Sequence, residues 1–109
     1  MEDKALITNA TQLLSELNKN FQSCKQSTAD DIRLQELLNT TLQELKKAEK
    51  FDNSILIDLE KFYQRTSLLI GLGSLKLNDQ ARIAWRNYDK FHYEHVKHVL
   101  TLYGPVFGF

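Results

Sequence analysis

The segment NDQARIAWRNYDKFHYEHVKHVLTLYGP, residues 78–105, decides the fold. Ala81, Ala84, Trp85, Tyr88, Phe91, His92, Val96, Val99 and Tyr103 recur in steps of three and four, which lines them along one side of a helix. Asn78 supplies an N-cap, Asp79 and Gln80 open the first turn, and Gly104 with Pro105 ends the pattern. The spacing predicts a helix over 79–103 whose apolar stripe must be covered by other elements.

Upstream the same rhythm returns three times. Leu6, Ala10, Leu13, Leu14, Leu17 and Phe21 mark a helix over 4–24. Leu34, Leu37, Leu38, Leu42 and Leu45 mark a second over 29–50, with Ser27 or Thr28 as cap, Asp30 and Asp31 in its first turn and Lys46, Lys47 and Lys50 at its end. Ile55, Leu59, Phe62, Thr66 and Leu69, widened by Leu56, Tyr63 and Ile70, mark a third over 54–71, with Asn53 or Ser54 as cap. Gly71 and Gly73 are expected to stop it in the left-handed conformation. The next connection, SLKLND, contains the one short alternation in twos, SLKL. Short connections favour antiparallel neighbours, so the expectation is an all-α, up-down-up-down four-helix bundle forming one domain over 1–109, followed by a short aromatic tail, 104–109.

Composition narrows the function. Fourteen Lys and Arg balance fourteen Asp and Glu, which argues against a nucleic-acid binder. Cys24 is the only cysteine, which excludes an internal disulfide and a Cys-based zinc site and fits a reducing cytosol. The opening MEDKALITNATQLL has acids before its apolar residues and lacks the continuous apolar run of a signal peptide. Apolar runs such as LLIGLG fall far short of the roughly 20 residues of a spanning helix. A cytoplasmic protein without a transmembrane segment is expected.

No GxSxG, P-loop, GxGxxG or HExxH motif is present, and GLGS reads as a helix stop. His92, His95 and His98 follow one another at every third residue, and a step of three turns each by roughly 60° round a helix, so the three diverge. His92 is expected at the core edge and the other two near solvent, with no metal and no cofactor. Arg82, Arg86 and Lys90 form a basic stripe, read either as a solvated face with neighbours such as Asp89 or as a surface for anionic lipid or an acidic partner. Trp85 is expected in the core. Beyond Pro105, Phe107 or Phe109 either folds onto the groove between the third and fourth helices or presents a partner-binding edge.

From ILIDLEKFYQRTSLLI through GLGSLKLND to ARIAWRNYDKFHYEHVKHVL and the closing GPVFGF, the chain resembles the small immunity proteins with which lactic acid bacteria and streptococci resist their own class II bacteriocins, the enterocin A immunity-like family. The resemblance covers nearly the full chain and is strongest in its second half. It implies a cytosolic, monomeric four-helix bundle without enzymatic activity, which shields the producer's sugar-uptake permease, of the mannose phosphotransferase type, from lethal opening by the bound peptide. In that family the C-terminal half tends to determine which bacteriocin is countered. Carried over by region, the candidate partner-binding residues are Arg82, Arg86, Lys90, Tyr103, Pro105, Val106, Phe107 and Phe109. The alternative from another class is a small helical adaptor or regulatory protein that holds a partner helix in a groove between its own helices.

Overall fold

The computed structural model describes residues 2–73, 75–97 and 99. Four α-helices follow one another, α1 (Asp3–Gln22), α2 (Ala29–Lys47), α3 (Asn53–Gly71) and α4 (Asp79–His92), and α4 continues into a π-helical turn, Tyr93–Lys97. Each helix packs against the next, and α4 closes back on α1, so the four form a square antiparallel bundle. The expected ends at 24 and 50 are too late, and the fourth helix leaves α geometry after His92; its expected end at 103 and the tail 104–109 lie outside the described residues.

The caps explain where the helices begin. Thr28 accepts from the Asp31 backbone amide at 3.2 Å, while the Asp31 carboxylate accepts from the Thr28 amide and hydroxyl, which completes a capping box at the start of α2. Asn78 accepts from Ala81 N at 2.9 Å, as the sequence predicts. The cap of α3 is Asp52, whose carboxylate accepts from Ile55 N, one position before the expected Asn53. FDNS places three capping side chains in a row, and the extended backbone at Asp52 selects among them.

The buried stripes are Ala10, Leu14, Leu17 and Phe21 of α1, Leu34, Leu38 and Leu45 of α2, Ile55, Leu56, Leu59 and Phe62 of α3, and Ala81, Ala84, Tyr88 and Phe91 of α4. Fully burying one such large side chain contributes about 1.5–3 kcal/mol. Thr66 is also fully inside, as its place on the stripe requires, and its Oγ1 has no hydrogen-bond partner among the described residues. Two features of the core differ from expectation. Trp85 is only half-buried, packed on the core rather than within it. The connection after α3 is part of the core, because Leu75 and Leu77 are buried while Lys76 between them is exposed. The alternation of Leu75, Lys76 and Leu77 thus anchors a connection, with no strand among the described residues.

Neither Gly71 nor Gly73 has the positive φ expected of a helix-stopping glycine. Gly73 is instead a close approach: a Cβ there would lie 2.6 Å from Asp30 Oδ2 and 2.7 Å from the Leu69 carbonyl oxygen. Gly71, the last residue of α3, has open space where its Cβ would be. Substitution by alanine should therefore act in opposite directions at the two positions. Gly71→Ala is expected to raise stability by about 0.4–1 kcal/mol through reduced freedom of the unfolded chain, and Gly73→Ala to lower it by more than that, both read by thermal unfolding.

Candidate functional site

The fourth helix presents the basic stripe that the sequence predicts, but helical geometry splits it. Residues four apart drift by about 40° round the helix at each step, so Arg82, Arg86 and Lys90 wind across the exposed side of α4. All three are exposed, and none forms an ion pair among the described residues. Arg82 reaches back toward the Leu77 carbonyl at 3.5 Å. Asp89, the expected neighbouring partner, is half-buried and interacts instead with the Tyr63 hydroxyl across the α3–α4 interface.

Lys90 alone of the three arrives at a groove between α1 and α4 of about 490 Å³. Leu13 and Phe91 give it an apolar floor. Asn9, Gln12 and Asn87 supply amides, and Glu16 and Glu94 set carboxylates against Lys90. His95 closes the far end, 3.7 Å from Glu94 and with its ring 5.0 Å from that of Phe91. Amides and charges of both signs over an apolar floor suit a polypeptide segment with both apolar and polar side chains. Tyr103, Pro105, Val106, Phe107 and Phe109 lie outside the described residues, as does His98. Among the described residues no group of three or more His, Cys, Asp or Glu is arranged to hold a metal ion.

Behind the stripe lies a cluster that the sequence reading only half identifies. His92 is buried, beyond the core edge where it is expected, and its Nε2 lies 2.6 Å from Glu60 Oε1. A carboxylate accepts, so the imidazole Nε2–H is the donor. Gln64 donates to the other carboxylate oxygen at 2.8 Å. Tyr63 lies flat on His92, with ring centres 3.6 Å apart and planes within 5°, and Trp85 also stacks with Tyr63, ring centres 5.4 Å apart. Tyr88, fully buried, donates its hydroxyl to the Leu59 carbonyl at 3.0 Å. Glu60 is the residue the sequence reading missed. Its signal was position: it follows Leu59 on the inward edge of α3, where an acid requires a partner.

Comparison with protein families, with curated proteins and with solved structures returns no match for this chain.

Burial holds the His92 imidazole below its ordinary value of 6.5, outweighing the opposing pull of Glu60. The unfolded chain therefore takes up the proton more readily than the folded one. The stability that neutral His92 contributes is present above the ordinary imidazole value and is lost as pH falls through the lower, folded value. Denaturant unfolding from about pH 8 to about pH 5 should show the wild type losing more stability than His92→Gln, which keeps a donor for Glu60 but does not titrate. Parallel curves would contradict this.

Proposed function

We propose that this protein is a bacteriocin immunity protein, protecting the cell that makes it from its own class II bacteriocin by binding rather than catalysis. It acts as a cytoplasmic monomer, with a minor fraction at the membrane, on the cytosolic side of the sugar permease that the bacteriocin engages. The observation that carries this reading is the exposed surface of α4, where Arg82, Arg86 and Lys90 have no ion-pair partner among the described residues and Lys90 leads into the α1–α4 groove. Unpaired cations beside a groove that has an apolar floor are available to an acidic or amphipathic partner. Tyr103, Pro105, Val106, Phe107 and Phe109, which follow on the same chain, complete the proposed recognition surface.

The same groove favours one second reading, an adaptor that binds a partner helix. That protein would form a stable soluble complex and leave bacteriocin sensitivity unchanged.

Killing of a sensitive strain by class II bacteriocins separates the two. Expression of the full chain should raise tolerance to a particular peptide. Truncation after Gly104, and separately the triple change Arg82→Gln, Arg86→Gln and Lys90→Gln, should each remove most of that protection while circular dichroism remains that of a helical bundle. Unchanged killing with the full chain would refute the immunity reading.

A further inference from the structure

The chain is neutral overall, yet its four arginines, Arg33, Arg65, Arg82 and Arg86, are gathered in one half of the bundle. The start of α2, the end of α3 and the start of α4 meet there, and Asn78 Nδ2 donating to Ser23 Oγ at 3.2 Å ties the two connections at that end together. From Lys61 to Asn78 the sequence contains no carboxylate.

The same end carries exposed aliphatic side chains. Ile32 is 54% exposed, Leu68 56% and Leu72 84%. On α3, Lys61, Arg65, Leu68 and the capping Leu72 are spaced by four, three and four, which confines them to a sector of about 60°. That sector faces away from the buried stripe of Ile55, Leu59, Phe62 and Thr66. Arg33 of α2 joins Lys61 and Arg65 along the shallow groove between α2 and α3, with Ile32 beside it. Glu36, Glu44 and Asp58 also line this groove, Glu44 toward the opposite end of the bundle and Asp58 about one turn before Lys61 on α3.

We infer that this end of the α2–α3 face docks on an anionic lipid bilayer, with Leu68, Leu72 and Ile32 entering the interface and Arg33, Lys61 and Arg65 meeting lipid phosphates. Two observations select a bilayer over a peptide. The leucines stand on the outward crest of α3 instead of lining a concavity, so they cannot enclose a partner's side chain but can enter a planar interface. The stretch 61–78 that carries the leucines contributes only cations, Lys61, Arg65 and Lys76, which with Arg33 complement a surface of phosphates, while Asp30, Asp31 and Glu36 at this end belong to α2, and Asp31 is buried in its cap. Among the described residues no helix is long and apolar enough to cross a membrane, and the proposed contact is peripheral. It supplies a physical contact for the membrane fraction proposed above, and because the test reads lipid contact without any bacteriocin, it can fail while the immunity reading stands.

Vesicle co-sedimentation with the full chain tests it. Vesicles of phosphatidylglycerol and phosphatidylcholine should retain the protein at low salt, vesicles of phosphatidylcholine alone should not, and high salt should weaken retention. The exposed double changes Leu68→Ser with Leu72→Ser, and Arg33→Gln with Arg65→Gln, should each reduce retention about tenfold. Lys46→Gln with Lys47→Gln, at the other end of the bundle, should leave it within about twofold. Absence of retention on the anionic vesicles would overturn the proposal. So would equal loss in the lysine variant, which would reduce the effect to charge without a site. Lipid-free dimerisation that disappears with the leucine changes would assign the patch to a second copy of the chain instead.

Discussion

The hydrogen bond between Glu60 and His92 sets how α3 and α4 face each other. These two helices make the fewest close backbone approaches of any neighbouring pair, and the space between them is filled by rings. Tyr63, Trp85, Tyr88 and His92 stack or tilt against one another there, with Phe62 packed edge-on against Tyr88 at 5.4 Å. Apolar rings tolerate sliding by a turn, but a buried carboxylate does not, because losing its donors leaves a desolvated charge. Leaving a buried polar group without its partner costs about 1–3 kcal/mol, and more when the group is charged. Glu60 with His92, and Tyr88 with the Leu59 carbonyl, therefore define the register that the aromatic layer alone would leave loose. The π-helical turn begins directly after His92 and keeps Val96 buried four residues later, so this constraint lies where α4 changes its winding.

Much of this was legible in the chain because the signals were local or periodic. Each inward stripe follows from steps of three and four, and Thr28 and Asn78 announce their helices by chemistry that acts within one turn. What was not legible required two helices at once. Glu60 reads as one of many helical acids until α4 places His92 opposite. Trp85 reads as core by its type, yet it is only half-buried and packs against the core from its edge. Gly73 reads as a left-handed stop, whereas the structure needs its missing Cβ because the Leu69 carbonyl oxygen and Asp30 approach it closely. SLKL gave its signal openly as an alternation, but a connection is not ordinarily expected to contribute to the core.

The candidate site was legible only as a region. A basic residue every fourth position looks straight in one dimension, and the excess of each step over a full helical turn makes it wind, so that Lys90 reaches the α1 groove and Arg82 does not. Composition concealed a second feature in the same way. A net charge of zero averages over the whole molecule, while folding brings all four arginines and the carboxylate-free stretch 61–78 to one half of the bundle. The long-range field of the protein is then that of a dipole, which orients an approach without requiring net attraction.

In a square bundle the α1–α4 groove and the α2–α3 face lie on opposite sides, with the shared core between them. Exposed side chains on the two are separated by that core, and changes at independent sites add. The two surfaces are consequently separable by experiment. A leucine change on α3 that weakened lipid contact and left recognition by α4 intact would mean that the bundle uses one side to settle where it acts and the other to settle what it recognises. If both were lost together, the cause would have to lie in the shared core between them, of which the ring layer held in register by Glu60 and His92 is one part.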